Sequence, residues 1–134
     1  MALGFNIINS AINVLRFSPD GKYLVSGSDD HQLKVWDLRQ GSCISTMAEH
    51  GAPVNDIRFH PCEMMFASGG ADRQVNFYDF QSFERVSYSN PTTHAISTIK
   101  FNIDGSSLFF AAGEVIREIE WEPYKCLRSW VSSR

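Results

Sequence analysis

The stretch NVLRFSPDG at residues 13–21 decides the fold, because it returns twice along the chain. Related stretches, NDIRFHPCE and STIKFNIDG, occupy residues 55–63 and 97–105, so each copy begins 42 residues after the one before it. A second stretch, GSDDHQLKVWDL at 27–38, has its counterpart GGADRQVNFYDF at 69–80 with the same spacing. A period of this length predicts that the chain stacks copies of one small supersecondary unit.

The first copy predicts four short strands joined by tight turns. The strands are expected at about residues 14–16, 23–26, 33–36 and 43–47. The run SPDG at 18–21 predicts the first turn, because Pro fixes φ at its second position and Gly tolerates the left-handed region. No helical 3.6-residue period of useful length is present. Four antiparallel strands per copy are typical of one blade of a β-propeller.

The 42-residue period with its Trp36-Asp37 dipeptide resembles the WD-repeat β-propellers over nearly the whole chain. The third copy is degraded, since Trp121 falls one residue later than Trp36 predicts. The resemblance implies an all-β fold, a partial WD-repeat propeller of about three four-stranded antiparallel blades. We expect a single partial propeller over residues 1–134, with blades at about 9–50, 51–92 and 93–134. Three blades do not close a ring, so we expect a fragment, a truncated product or a chain that oligomerises.

Composition excludes several classes of function. Hydrophobic residues make up 43% of the chain, the net charge is −3, and there is no basic block, which argues against nucleic acid as a partner. No apolar run approaches the roughly 20 residues of a membrane span. The three cysteines, Cys43, Cys62 and Cys126, lack CxxC spacing and read as reduced thiols of a cytosolic protein. His60-Pro61-Cys62 has no second pair to complete a zinc site, and we expect no metal and no cofactor.

In the WD-repeat family, a network of His, Asp, Ser or Thr, and Trp ties each blade together. The second copy supplies this set with Tyr in place of Trp: His50, Ser68, Asp72 and Tyr78. The first copy supplies Ser26, Asp30 and Trp36, with Ile8 at the position of the His. The third copy offers Glu114 for the Asp and Thr92 for the His, with His94 two places late. We expect a structural network in the first two copies and a broken one in the third.

Two chemical alternatives use the same residues. Ser68, His50 and Asp72 could form a hydrolase triad, but Ser68 lies in FASGG, which lacks the G-x-S-x-G elbow. Ser26 and Asp30 also repeat the pattern one period earlier, and an active site has no need to recur. The turn Asp29-Asp30-His31 could bind a metal, but adjacent residues on a tight turn diverge. We therefore predict no catalytic residues, and a protein that is not an enzyme.

The resemblance implies a platform for partner proteins, and loop residues are the candidates for contact. We place partner binding at five positions: Asp29, His31, Arg39, Arg73 and Glu114. Apolar positions of the repeat are expected in the core: Phe17, Leu24, Val35, Ile57, Phe66, Val75, Ile99 and Leu108.

A closer resemblance joins several of these runs. VLRFSPDGKYLVSGSDDHQLKVWDLRQG, GAPVNDIRFHP and FASGGADRQVNFYDF look like consecutive blades of the non-catalytic WD-repeat subunit of katanin, as does the aberrant ending EWEPYKC at 120–126. The match spans about residues 14–127. It implies targeting and regulation of katanin's AAA ATPase subunit in microtubule severing, in the cytoplasm and at the cytoskeleton of centrosomes and spindle poles. The helical C-terminal region by which that family grips the ATPase is not found here.

An alternative comes from the run Trp36-Asp37-Leu38-Arg39. Its W-D-x-R pattern resembles the motif of WD proteins that serve as substrate receptors of cullin-based ubiquitin ligases. The resemblance implies that Arg39 projects to meet the ligase adaptor. Otherwise Arg39 is a solvated residue leading into the turn at Gln40-Gly41.

Overall fold

The structure, a computed structural model, describes residues 10–120, and within them every regular element is a β-strand. Blade 1 consists of β1 (Ile12–Phe17), β2 (Tyr23–Ser28), β3 (Leu33–Asp37) and β4 (Ser42–Met47). Blade 2 consists of β5 (Val54–Phe59), β6 (Met65–Gly70), β7 (Val75–Asp79) and β8 (Arg85–Tyr88). Blade 3 consists of β9 (Ile96–Phe101), β10 (Ser107–Ala112) and β11 (Val115–Glu120). Each sheet is antiparallel, which confirms the predicted all-β partial propeller.

The strands follow the sequence period closely. The first strands of the three blades begin at residues 12, 54 and 96, and the second strands begin at 23, 65 and 107, so both sets keep the 42-residue spacing. The fourth strand expected for the third copy lies outside the described residues, as do Ile8 and Trp121.

Consecutive blades pack face to face, and we name each face by its neighbour. The forward face of a blade points to the next blade, and the rear face points to the preceding one. Joint 1 contains the forward face of blade 1 and the rear face of blade 2: Val14, Val25, Leu33, Val35, Met47, Val54, Ile57, Phe66, Tyr78 and Phe80. Joint 2 contains the equivalent faces of blades 2 and 3: Met65, Ala67, Val75, Phe77, Ile96, Ile99, Leu108, Phe110 and Ala112. Blade 2 is thus covered on both faces, and every residue of β6 is buried.

Small residues let the blades approach closely at both joints. Gly27 lies on the forward face of blade 1, and a Cβ built there would lie 2.6 Å from the side chain of Val54. Gly69 is its equivalent in blade 2, where a Cβ would lie 2.6 Å from the side chain of Ile96. A larger residue at either position would force the blades apart.

Six of the eight predicted core positions are buried, and two are not. Val35, Ile57, Phe66, Val75, Ile99 and Leu108 are buried. Phe17 is 64% exposed, and Leu24 is half-buried. Both lie on the rear face of blade 1, which has no preceding blade within the described residues, so the repeat position alone did not determine burial.

The third hairpin departs from the period. The β2–β3 and β6–β7 hairpins have three-residue turns that end on residues with positive φ, His31 (75°) and Arg73 (69°). The β10–β11 hairpin has only Gly113 (φ 63°) and Glu114 between the paired residues Ala112 and Val115. Gly at the first of two turn positions is typical of a type II′ hairpin.

The shorter turn shifts β11 relative to the other third strands. Ile119 pairs with Leu108, just as Trp36 pairs with Leu24 and Tyr78 with Phe66. The residue that stands in the place of the indole is therefore Ile119, one position before the simple period of 42 would put it.

Candidate functional site

The strand directions gather the loops at two ends of the blades. The upper rim contains the β2–β3, β6–β7 and β10–β11 turns and the connections between blades, at residues 29–32, 48–53, 71–74, 89–95 and 113–114. The lower rim contains the other turns, at residues 18–22, 38–41, 60–64, 80–84 and 102–106.

Blade 2 brings His50, Ser68 and Asp72 together at the upper end of joint 1. His50 comes from the connection after β4, Ser68 from β6, and Asp72 from the β6–β7 turn. The Nδ1 atom of His50 lies 2.8 Å from Oδ2 of Asp72, and its Nε2 lies 2.6 Å from Oγ of Ser68. The imidazole therefore bridges the turn to the strand.

Asp72 also holds backbone amides of the connection after β4 and of its own turn. Its carboxylate accepts hydrogen bonds from the N–H groups of Gly51 (3.1 Å) and Gln74 (3.3 Å). Burial acts to raise the pKa of Asp72, but the hydrogen bond and the charge of His50, together with these amides, lower it overall. The ionised carboxylate is the form that ties the turn to the connection.

Tyr78 fills the indole position of blade 2, where its hydroxyl has hydrogen-bond partners in Ser68, Glu49 and Asn76. Asn76 donates to the Tyr78 hydroxyl at 3.4 Å, and its Nδ2 also lies 3.3 Å from Nε2 of His50. Burial, with a smaller effect from the charge of Glu49, raises the pKa of Tyr78, so the phenol stays neutral. Asn76 therefore joins the network, and sequence reasoning did not include it.

Blade 1 assembles only part of the expected set. Nε1 of Trp36 donates to Oγ of Ser26 at 3.0 Å. The carboxylate of Asp30 instead accepts the backbone N–H of Gln32 at 3.0 Å, and the N–H of Asp30 donates to Oγ of Ser28 at 3.2 Å. Asp30 thus stabilises its own turn.

Blade 3 does not form the network with the residues expected there. Glu114 lies exposed in the two-residue turn. Thr92 donates from Oγ1 to the carbonyl of His94 at 2.7 Å, and its N–H donates to the carbonyl of Arg73 at 2.9 Å. Thr92 therefore fastens the connection to the hairpin of blade 2, and His94 packs against Gly113.

The Ser68–His50–Asp72 geometry matches that of a hydrolase triad, so burial decides what it can do. Ser68 is 0% exposed, and His50 is buried beside it within joint 1. An acyl substrate must reach the serine oxygen and an adjacent oxyanion site. Burial of Ser68 and His50 does not offer that access, and their hydrogen bonds connect the strand, the connection and the turn.

The residues expected to contact partners divide between the two rims. Asp29, His31, Arg73 and Glu114 are exposed on the upper rim. Arg39 is exposed on the lower rim, where its backbone N–H is held by Oδ1 of Asp37 at 2.9 Å. The five residues therefore lie at two opposite ends of the blades.

Side chains on the innermost strands link each blade to the next, and the sequence analysis missed them. Nδ2 of Asn13 donates to the carbonyl of Val54 (3.1 Å), and Nε of Arg16 donates to that of Ile57 (2.9 Å). The same bonds recur one period later, from Asn55 to Ile96 (2.8 Å) and from Arg58 to Ile99 (3.1 Å). We call these bonds the clasp. Its signal is the N-x-x-R spacing within the stretches at 13–21 and 55–63.

Buried Asp56 adds charge to the clasp. Its carboxylate accepts from Nη2 of Arg16 at 3.1 Å, from the Thr98 hydroxyl at 2.9 Å and from the Ile99 N–H at 2.9 Å. One side chain of blade 2 is thereby bonded to blades 1 and 3. This pairing compensates the cost of burying the carboxylate.

His60 makes a further link, from the lower rim of blade 2 to blade 3. Its Nε2 lies 3.0 Å from the carbonyl of Gly105, and its Nδ1 accepts the N–H groups of Cys62 (3.0 Å) and Glu63 (2.9 Å). Two amide donors at Nδ1 leave the proton on Nε2. Burial lowers the pKa of His60, with the Gly105 carbonyl and nearby Glu63 and Asp104 acting against it.

Neither a metal centre nor a membrane-spanning helix is seen in the part of the chain that the structure describes. Residues 10–120 contain no cluster of three or more His, Cys, Asp or Glu side chains able to hold an ion. Over the same residues, no helix has the length and apolar character needed to cross a membrane.

Comparison with known proteins agrees with the repeat. The family described as WD domain, G-beta repeat matches residues 6–37 and 41–79, more than half of the chain. Periodic tryptophan protein 2 of Arabidopsis thaliana is 32% identical over 82 residues, which cover 60% of this chain and 9% of that protein.

Two yeast proteins are similar over shorter stretches. Ribosome assembly protein 4 of Saccharomyces cerevisiae is 53% identical over 36 residues, 27% of this chain and 7% of that protein. The 26S proteasome regulatory subunit RPN14 of the same organism is 46% identical over 47 residues, 35% of this chain and 11% of that protein. This chain thus spans only 7% to 11% of the length of these three relatives.

Proposed function

This chain belongs to the WD-repeat family, and from that premise we propose that it is a non-catalytic interaction module whose upper rim binds a partner protein. The division of roles within the hairpin turns carries the proposal. In both three-residue turns the middle Asp, Asp30 or Asp72, holds the turn itself. The next residue, His31 or Arg73, is exposed and fixed in a left-handed conformation. A rigid scaffold that presents exposed side chains at regular intervals suits protein recognition.

Charge on the upper rim indicates the chemistry of the partner. Exposed carboxylates occur on successive blades or connections, at Asp29, Glu49 and Glu114. Arg73 is the one Lys or Arg side chain on the upper rim as defined above. Complementary charge across an interface favours encounter and correct orientation. The rim therefore fits a partner surface that carries Lys or Arg side chains.

A pair of charge reversals tests the proposal. Glu114→Lys changes an exposed carboxylate of the upper rim, and Glu84→Lys makes the same change on the lower rim. We expect Glu114→Lys to reduce recovery of partner proteins in affinity purification with quantitative mass spectrometry, and Glu84→Lys to leave it unchanged. If both variants recover the same proteins as the wild type, binding does not use the upper rim.

In its finer form, the proposal names katanin's AAA ATPase subunit and microtubules as partners, with a location at the cytoskeleton of centrosomes and spindle poles. Its support is the sequence resemblance over about residues 14–127. The relatives described above are named for other complexes, among them ribosome assembly and the proteasome. Mixing the purified chain with the ATPase subunit and sedimenting it with microtubules tests this form. Absence of binding to both rejects the katanin role and leaves the interaction module intact.

An alternative function has its own observation on the lower rim. In the W-D-x-R run, Trp36 and Asp37 are buried, and Arg39 is exposed on a turn fixed by Asp37. That arrangement favours contact between Arg39 and the adaptor of a cullin-based ubiquitin ligase. Arg39→Ala should lower co-purification of the adaptor, while Lys22→Ala, also exposed on the lower rim, should not. Equal recovery with both variants rejects the ligase function.

A further inference from the structure

In joint 1, the connection after β4 fills the space in front of β7 of blade 2. The Nε2 atom of His50 lies 3.3 Å from Nδ2 of Asn76, and the imidazole is fully buried. Glu49, the residue before it, is a hydrogen-bond partner of the Tyr78 hydroxyl. Two long polar side chains from the connection, one of them a carboxylate, therefore reach the third strand of the next blade.

In joint 2, the equivalent connection leaves that space open. Pro91 and Thr92 follow the two long residues by one period, and both have short side chains. The Thr92 hydroxyl donates to the carbonyl of His94 instead of reaching blade 3. A cleft with a volume of about 720 Å³ lies between residues 89–93 and β11. Sites for small molecules have volumes of roughly 300–1,000 Å³, so the cleft has room for one.

The wall of the cleft on blade 3 combines apolar side chains with a cation. Phe110 and Ile119 line it with apolar surface. Arg117 also lines the cleft and pairs with Phe110 across the two strands, so both side chains lie on the face that points to blade 2. In blade 2 the same register position belongs to Asn76, which pairs with Ser68. Arg117 therefore stands where an uncharged amide contacts the connection in joint 1.

The Arg117 guanidinium has no partner of opposite charge within residues 10–120. No hydrogen bond or ion pair joins it to another residue of that range. Glu118, the other charged residue of the lining, accepts a hydrogen bond from the Ser107 hydroxyl on the opposite face of blade 3. Residues 89–93 include no Asp or Glu. Within the described residues, the cleft thus combines an unpaired positive charge with an apolar wall.

We propose that this cleft binds a small organic anion, with its acidic group on Arg117 and its apolar part against Phe110 and Ile119. A guanidinium binds a carboxylate through charge-assisted hydrogen bonds, which are stronger than those between neutral groups. In joint 1 the chain supplies its own carboxylate at the equivalent place, from Glu49, and in joint 2 the ligand supplies it. The site goes beyond the proposed function and stands or falls separately from partner binding at the upper rim.

Titration of the isotope-labelled 134-residue chain with phenylbutyrate, followed by amide NMR spectra, tests the proposal. We expect saturable shifts of amide signals within residues 89–93 and 116–119, which line the cleft. Phenylbutanol and phenylbutylamine carry the same apolar body with a neutral and a positive group, and both should bind at least about fivefold more weakly. Equal affinity for the alcohol would reject recognition of an anion.

A pair of charge removals identifies the binding group. Arg117→Gln removes the positive charge of the cleft and should weaken phenylbutyrate binding by about fivefold or more. Lys100→Gln removes an exposed cation of the same blade that does not line the cleft, and should leave the affinity unchanged. Both residues are exposed, so we expect both variants to fold, which circular dichroism checks. Equal affinities of the two variants would overturn the assignment to Arg117.

Restoring the carboxylate of joint 1 gives an independent test. Pro91→Glu places a carboxylate at the position of Glu49 and should compete with phenylbutyrate for Arg117, whereas Pro91→Gln, of similar size but uncharged, should weaken binding less. Equal losses in the two variants would count against a charged ligand.

The wild type alone can overturn the proposal. If its spectra do not change up to the solubility limit of phenylbutyrate, the cleft does not bind small organic anions. Shifts confined to residues outside the cleft would likewise reject the site.

Discussion

Ile57 in blade 2 and Leu15 in blade 1 occupy the same place in the repeat, but the first is fully buried and the second is half exposed. The two strands that carry them have similar sequences and the same length. What differs is the neighbour, since among residues 10–120 blade 2 has a blade on each face and blade 1 has one only on its forward face. A repeat therefore defines which residues can form a joint, and stacking determines what each one contributes to stability.

The largest effect is expected at this pair. Ile57→Asp places a charge in joint 1 and should destabilise the chain by about 4 kcal/mol or more, enough to unfold a marginally stable domain. Leu15→Asp should change the free energy of unfolding by about 0.5 kcal/mol or less, because the residue is on the surface of the single chain. Urea denaturation measures both. A folded Ile57→Asp variant would contradict the assigned register.

The next effect separates the polar networks of blades 2 and 1. Ser68→Ala leaves the buried Nε2 of His50 without its hydroxyl partner and should cost about 1–3 kcal/mol. Ser26→Ala removes a single bond from Trp36 and should cost about 1 kcal/mol.

A double-mutant cycle sharpens that comparison. Ser68 and Asp72 both bond to His50, so Ser68→Ala and Asp72→Ala should be non-additive, whereas Ser26→Ala and Asp30→Ala should add. Additivity in blade 2 would show that its three residues do not act together.

A smaller effect on the free energy of unfolding depends on pH and arises from His60, which links blade 2 to blade 3. The pKa of His60 is lowered in the folded chain from its ordinary value of 6.5, so its contribution to stability is fully present above pH 6.5. That contribution is lost as the pH falls through the folded-state pKa, because the unfolded chain binds the proton first. As the pH falls from about 7 to about 5, the free energy of unfolding should therefore decrease.

The other copies supply a control for this prediction. Ser18 and Asn102, which do not titrate, occupy the position of His60 in blades 1 and 3. His60→Asn should reduce the dependence of urea midpoints on pH over the same interval. An unchanged dependence would assign it to another group. Asp72, whose pKa is also lowered, loses its contribution only at more acidic pH.

The smallest effect is expected at the turns. Arg73 has a φ of 69°, a left-handed backbone conformation that is unfavourable in free energy for residues with a Cβ. The corresponding turn of blade 3 already has a glycine, Gly113, at its position of positive φ. Arg73→Gly should raise stability by about 0.5–1 kcal/mol after the larger chain entropy of glycine is counted. Thermal unfolding detects this gain. Arg73→Ala keeps the strain and should give none, so an equal gain would implicate the loss of the arginine side chain instead.

The sequence predicted what the period repeats. The strands of blades 1 and 2 and the second-copy residues His50, Ser68 and Asp72 could be placed because equal spacing in a stack gives equal positions. Phe17 could not, since its burial depends on a neighbouring blade that no residue of its own copy specifies.

The remaining misses arise from a missing partner and from the backbone. The first copy has Ile8 where the second has His50, so Asp30 has no equivalent histidine to bond and holds its own turn through the N–H of Gln32. The Gly113-Glu114 turn shortens a hairpin and moves Ile119 into the indole position.

The clasp was missed for another reason. Its donors, Asn13 and Arg16, can be identified from the sequence. Their acceptors are backbone carbonyls, which every residue has, so the sequence does not show which carbonyl accepts the bond.

The clasp also has a direction, since Arg16 and Arg58 each bond to a carbonyl 41 residues further along the chain and never to one before. On the ribosome, the guanidinium of one blade emerges well ahead of the carbonyl it needs. At ordinary rates of translation, roughly 2–8 s separate the two. The guanidinium of each blade therefore stays hydrated until the next blade has been synthesised. The clasp bonds then form in the order in which the blades are made.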